Sequence, residues 1–205
     1  MGQSGDPDET AVRSAEARNN AYEKFFGPVE RVFEEKSGRI PRTEVRAYRR
    51  RGPDGVRTYT LVTSGMSDLE MRVPARVRAP RRVELIFYCS DAEPEYVETI
   101  RWLAHFPHAQ KTWIGTGHTI PNGNPPAPFW GSSILDTMLL MPTIVQKDGT
   151  LPKELVLVGN GVEFLWVVPL TSAECQLKLA KGLDAILDLF QQNRHPFVFD
   201  PSRKS

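Results

Sequence analysis

The apolar run of Val83–Cys89, ending in ELIFYC, and a second run over Val162–Leu170 constrain this chain more than any other feature. Strands with so little polar alternation need cover on both faces. A chain that carries them must build a sheet with other elements packed against it, and the remaining sequence has to supply those elements.

Helices are available for that cover. Thr171-Ser172-Ala173-Glu174 is a capping box, in which Thr171 caps the backbone and Glu174 reaches back. The helix it opens carries Leu179, Leu183, Ile186, Leu187 and Phe190 on one continuous apolar face. Glu93-Pro94-Glu95 starts another, with Val97, Ile100, Leu103 and Ala104 on its apolar side and a stop at Phe106-Pro107. Asp6-Pro7-Asp8-Glu9 offers a third start, followed by Val12, Ala15, Tyr22, Phe25 and Phe26 at helical spacing. Gly27-Pro28 breaks that pattern, and Val29, Val32 and Phe33 read as a short helix ending near Ser37-Gly38.

Between the helices the period changes to two. Thr43–Arg49 and Arg57–Thr63 flank Gly52-Pro53-Asp54-Gly55 as a hairpin. Leu69–Val73 and Ile134–Met141 read as further strands, and Leu155–Val158 with Val162–Leu170 as a second hairpin around Gly159-Asn160-Gly161. These elements predict a single α+β domain with a mixed, mostly antiparallel sheet and packed helices. Its expected organisation is a mobile N-terminal tail over 1–10, the domain over 11–193 and a C-terminal tail over 194–205.

A length of 205 residues suits one domain with a sizeable core. The formal net charge of +1 supplies no general field for nucleic acid or an anionic membrane, so neither is expected as a partner. Arg49-Arg50-Arg51 reads as a solvated strand end, because no aromatic residues interleave with it for base stacking. No stretch of about 18 apolar residues is present, and MGQSGDPDET lacks the basic-then-apolar order of a secretory signal, so the expected compartment is the cytoplasm. Cys89 and Cys175 read as two separate thiols.

Lys111–Asn124, reading KTWIGTGHTIPNGN, is where chemistry would be sought. Gly115-Thr116-Gly117 lacks the third glycine of a dinucleotide fingerprint, and no lysine precedes a Ser/Thr as a phosphate loop requires. His105 and His108 flank Pro107 with no cysteine near enough to complete a zinc set. Ser64 and Ser67 do not sit in a nucleophile elbow, and Cys89 lies among apolar neighbours that keep it a thiol. Asp136 and Glu163 are acids within apolar strands; Glu163 reads as facing outward, and Asp136 as an acceptor for hydrogen bonds from the glycine–histidine loop. No catalytic residue, metal or cofactor is expected. Gly117, His118, Thr119, Pro121 and Asn122, with Asp136, form a candidate loop whose polar groups satisfy its own backbone or contact a ligand.

Five phrases in order resemble one family: LVTSGMSDLEMRVP (Leu61–Pro74), RVELIFYC (Arg82–Cys89), WLAHFPH (Trp102–His108), TWIGTGHTIPN (Thr112–Asn122) and GVEFLWVVPLTSAE (Gly161–Glu174). The set is similar to the suppressor of fused domain, over about Phe25 to Phe190. That resemblance implies a non-enzymatic, protein-binding α+β domain of the single-domain bacterial type, a class thought to include toxin-immunity proteins. The family's best-known animal member has a second, C-terminal domain, which this chain is expected to lack, and no partner-binding motif carries over. The near-neutral charge gives no support to a strongly basic nuclease as the toxin.

The expected partner is therefore a protein, bound by a monomer or weak homodimer. The binding surface is expected to be an exposed apolar patch away from the His118 loop, with Tyr48, Tyr59, Phe129 and Trp130 as candidates. The alternative is an enzyme or small-ligand binder centred on His118, supported by Asp136, Thr119 or Cys89.

Overall fold

A computed structural model of the chain describes residues 7–51, 55–130, 134–143, 148–151, 156–157 and 160–203. Its helices are α1 (Pro7–Phe26), α2 (Pro94–Ala109), α3 (Ser172–Lys181) and α4 (Leu183–Gln192). The strands are β1 (Arg31–Phe33), β2 (Glu44–Arg51), β3 (Arg57–Ser64), β4 (Val83–Cys89), β5 (Thr119–Pro121), β6 (Leu135–Pro142), β7 (Val156–Leu157), β8 (Asn160–Gly161) and β9 (Glu163–Thr171). Seven strands form one sheet in the order β1-β2-β3-β4-β9-β6-β5. Only β4 and β9 run parallel, so the sheet is mixed and mostly antiparallel, and the fold is α+β.

The two apolar runs are the central neighbours β4 and β9, and each divides its side chains between two cores. Leu85, Phe87 and Cys89 join Leu165 and Val167 beneath α2, whose Val97, Ile100 and Leu103 are at most 1% exposed. Each of those three contributes on the order of 1.5–3 kcal/mol, as an upper figure. Ile86 and Tyr88 join Phe164, Trp166 and Val168 on the other face, under Tyr22 and Phe25 of α1 and Ile186 of α4. Both faces are covered, as the composition of the runs requires.

The α1 side hides a polar network. Arg18, 1% exposed, donates to Ser64 Oγ at 2.9 Å and to the two carboxylate oxygens of Asp68 at 2.5 and 3.2 Å. Behind it, Glu84 is fully buried. Its carboxylate accepts from Thr63 Oγ1 (2.6 Å), Ser67 Oγ (2.6 Å) and the backbone N–H groups of Gly65 (3.0 Å) and Ser67 (3.1 Å), with Arg18 Nε at 3.8 Å. Tyr22 adds an O–H bond to the Thr63 carbonyl at 3.0 Å. The Thr63–Asp68 segment is thus a receptacle, and α1 closes it with one guanidinium.

Several local expectations are corrected. Val32 and Phe33 lie in β1 rather than in a short helix, because Arg31–Phe33 pairs with Val45–Ala47 and a single edge ladder satisfies so short a segment better than one helical turn does. Leu69–Val73 has Met71 and Val73 buried and Leu69 44% exposed, but forms no strand. The Met71 and Arg72 N–H groups go to separate acceptors, Arg81 and Thr112, so no ladder develops. Pro107 does not end α2; it lies in the last turn, where it forfeits only its own N–H, and Gln110 still donates to Phe106. The Thr171–Glu174 capping box is present, but the helix it opens is cut at Gly182 (φ 89°), a conformation that suits glycine. The change of direction leaves Leu179 62% and Leu187 40% exposed, so the predicted continuous face is two faces. Glu163–Leu170 belongs to β9 in the main sheet, while Val156–Leu157 pairs with Asn160–Gly161; Gly159 and the turn residues 52–54 lie outside the described residues.

Residues 194–203 return across the sheet. Phe199 N–H donates to the Tyr88 carbonyl at 2.8 Å, and its ring packs against Phe87, Tyr96 and Trp130. Arg203 then holds Glu174 at 2.6 and 3.0 Å. Phe199 and Arg203 thereby tie this segment to the sheet and to α3. Among the described residues, no helix is long and apolar enough to cross a membrane.

Candidate functional site

The loop that precedes β5 is sewn to β6 by its backbone. Gly117, at φ 82°, donates to the Leu140 carbonyl at 2.7 Å, and Leu140 donates back to His118 at 2.9 Å. Beyond β5, Asn122 N–H donates to the Asp136 carbonyl at 2.8 Å, and its Nδ2 donates to Ala127 (2.8 Å) and Pro128 (3.3 Å) carbonyls. Asn122 thereby closes a turn that returns the chain to Phe129, as an amide at such a position favours.

The structure gathers Gly117, His118, Thr119, Pro121 and Asn122 along one edge, but turns Asp136 elsewhere. The Asp136 carboxylate accepts from Thr137 Oγ1 at 2.9 Å and from the Ser172 hydroxyl at the start of α3. Its link to the loop is the backbone carbonyl, not the side chain. Glu163, read from the sequence as outward-facing, is half-buried beside the Thr116 hydroxyl. Burial raises its pKa, and Thr116 opposes that rise.

His118 is half-buried with its ring 4.3 Å from that of Trp113. Burial, and secondarily the charge of Lys178, holds the imidazole below its ordinary pKa and so favours the neutral form. No hydrogen bond from this ring to a carboxylate or thiol is found among the described residues. Cys89 is buried in the core, where burial pushes its thiol well above the ordinary range. Of the other histidines considered, His105 Nε2 is 2.9 Å from Glu35 Oε2, and His108 Nε2 is buried without a partner. Among the described residues no three His, Cys, Asp or Glu side chains converge as metal ligands would.

What the loop does build is a groove. Trp102 and Phe106 on α2, with ring centroids 5.9 Å apart, form one wall, and Trp113 and His118 form the other. Ile114 and Ile120 lie buried beneath, Lys178 of α3 borders one end, and the open volume is ≈ 750 Å³. Trp102 remains 38% exposed, unusual for a side chain of its size. Strand β5 runs along the groove and, among the described residues, pairs only with β6. Ladder alternation turns the N–H and C=O of Thr119 away from β6, toward the unpaired edge.

An exposed apolar groove thus lies at the His118 loop, where the sequence had suggested a patch away from it. The four aromatic candidates from the sequence are mostly core. Tyr48, Tyr59 and Phe129 are 0, 5 and 4% exposed, and Trp130 is half-buried. Trp102, which sequence reading passed over, could have been found from the helix pattern, since it falls outside the Val97-Ile100-Leu103-Ala104 face.

Residues 43–204 match the model of the family described as Suppressor of fused protein. No curated protein matches the sequence. Among solved structures, the fold is similar to a protein described as a suppressor of fused homologue from Neisseria gonorrhoeae FA 1090. That match has a TM-score of 0.69 at 18% identity and covers 95% of this chain and 97% of the other. A Sufu–Fu complex gives a TM-score of 0.62 at 11% identity, over 96% of this chain and 91% of that one. Drosophila Suppressor of Fused gives 0.58 at 12%, over 87% of this chain but 46% of its own.

Proposed function

Because the chain belongs to the suppressor of fused family, we propose that it is a non-enzymatic protein-binding domain whose partner lays an extended apolar segment along the groove. The observation that carries this reading is the exposed wall of Trp102 and Phe106 facing Trp113 beside the open edge of β5. An unpaired strand edge supplies main-chain hydrogen bonds to an extended peptide, and adjoining apolar pockets select its side chains. Aromatic anchors at the centre of such a contact dominate its energy. One structure of this fold is a complex of Sufu with Fu, which shows that the architecture can hold a second protein.

Within this reading the partner is a toxin or a regulatory protein that is sequestered by occlusion. The +1 net charge offers little long-range steering, so affinity rests on the groove rather than on opposite fields. The test is affinity capture from the native host with the wild-type chain and with Trp102→Ala/Trp113→Ala. The expected result is a partner bound by the wild type and weakened about thirtyfold or more by the double variant, at unchanged fold. Capture of the same proteins by both forms would exclude the groove. Loss of a small-molecule turnover in His118→Ala, with its melting temperature kept, would favour the enzyme alternative instead.

A further inference from the structure

Beside the groove, and sharing Trp102 with it, lies a second depression of ≈ 340 Å³ between α2 and the 122–130 segment. We propose that it receives the cationic side chain, arginine or lysine, of the partner segment that occupies the groove; this rests on the peptide-binding reading above.

The lining argues for a cation by what it offers and what it has already used. Two indoles, Trp102 and Trp130, line the depression together with Phe129. The Trp130 ring is fixed: its Nε1–H donates to Thr99 Oγ1 at 2.7 Å and approaches the Glu95 carbonyl at 3.2 Å, while Phe199 packs against it at 4.8 Å. Thr99 spends its own hydroxyl proton on the Glu95 carbonyl at 2.8 Å. Asn122 has committed its Nδ2 to the Ala127 and Pro128 carbonyls, so the group it has left to offer is the carbonyl oxygen. The donors of Trp130, Thr99 and Asn122 are therefore engaged, and what these side chains leave to the depression is acceptors and aromatic surface.

The one charged residue in the lining is Glu98. It lies one helical turn before Trp102, on the same side of α2. One of its oxygens takes Arg101 Nη1 at 2.5 Å, and the side chain remains 70% exposed. Glu93 and Glu95, on the preceding turn, are also exposed, so the surroundings carry net negative charge. Lys178 lines the neighbouring groove, so the depression offers a carboxylate and the groove an ammonium. A cation stacked on two indoles beside a carboxylate gains from both ring quadrupoles and charge.

The experiment follows the indole N–H signals of Trp102, Trp113 and Trp130 in the full-length chain by NMR. N-acetyl-arginine amide, N-acetyl-lysine amide and the uncharged N-acetyl-norleucine amide serve as probes. The two cationic probes are expected to shift Trp102 and Trp130 saturably, with affinity reduced about fivefold by Glu98→Gln and by Trp102→Leu. Both variants change exposed positions and leave Trp130 in place, so they report on binding rather than on folding. Equal shifts of Trp130 with norleucine amide and arginine amide would overturn the proposal, as would unchanged affinity in both variants. Norleucine amide at Trp113 with no cation response at Trp130 would leave the groove standing and remove the cation site. A cation response with no norleucine binding at Trp113 would do the reverse.

Discussion

Replacing Arg18 with leucine removes the guanidinium that α1 sends into the Thr63–Asp68 receptacle, while Arg82 still donates to the Ser67 carbonyl at 2.5 Å. The structure sets the scale of the loss. Arg18 is 1% exposed and makes three hydrogen bonds, to Ser64 and both oxygens of Asp68, with fully buried Glu84 3.8 Å away. Removing one member of a buried ionic set costs about 3–5 kcal/mol. Glu84 keeps its hydroxyl and backbone donors, and Asp68 is 30% exposed and can hydrate, so the lower end applies, about 3 kcal/mol. For a chain of this size that is roughly 6–12 °C in melting temperature. The deficit should also depend on pH. Burial raises the Glu84 pKa above 4.5, while Arg18 and the Ser67 and Thr63 hydroxyls pull it back. A raised carboxyl pKa means that the native state takes up a proton before the unfolded chain does. Its contribution to stability therefore grows as pH falls from the folded pKa toward 4.5 and is lost as pH rises. Without Arg18 the folded pKa climbs further, so urea unfolding should show a larger deficit near about pH 7 than near about pH 5. A loss below about 1 kcal/mol, or one independent of pH, would refute the view that Arg18 pins α1 through this network.

Three further outcomes follow from the same structure. Gly65→Ala would set a Cβ 2.1 Å from the Arg42 carbonyl oxygen at φ 121°, so the variant should lose more than about 3 kcal/mol or fail to fold, as read by circular dichroism. Phe199→Ala should cost about 3 kcal/mol or more in chemical denaturation, since a ring that is 8% exposed leaves a hole against Phe87, Tyr96 and Trp130; a neutral result would mean that the 194–203 segment is dispensable to the core. Burial opposes ionisation of Glu35, but the Ser37 and His105 hydrogen bonds prevail and lower its pKa from 4.5 to about 2. Its stabilising share is thus present above pH 4.5 and lost as pH falls through about 2, and Glu35→Gln should flatten the stability profile in that window.

The legible parts of this fold were those whose signal is local or strictly periodic. Thr171 and Glu174 announce their cap because both partners lie within four residues, and the apolar run of β4 announces a central strand because no other environment accepts it. Glu84 escaped notice within that same run: nothing in VELIFYC reveals that Gly65, Ser67 and Arg18, distant in sequence, will solvate a carboxylate there. β1 was missed because three residues carry no period, and its pairing with β2 is a tertiary fact. The break at Gly182 was overridden in the reading by leucines whose spacing continues across it. The backbone ties of the candidate loop follow from its glycine and asparagine, whereas the groove beside it was not legible, because it depends on how α2 packs against the loop. Aromatic identity alone does not separate Tyr48 in the core from Trp102 at the surface; the helix phase does.

Hydrogen exchange of the captured complex shows whether the partner occupies the groove. Binding should slow exchange at Thr119, whose N–H faces the open edge of β5, and in the 112–121 segment, while β1 at the opposite edge of the sheet stays unchanged. Protection confined to β1 or to the exposed leucines of α3 and α4, with Thr119 unaffected, would contradict it.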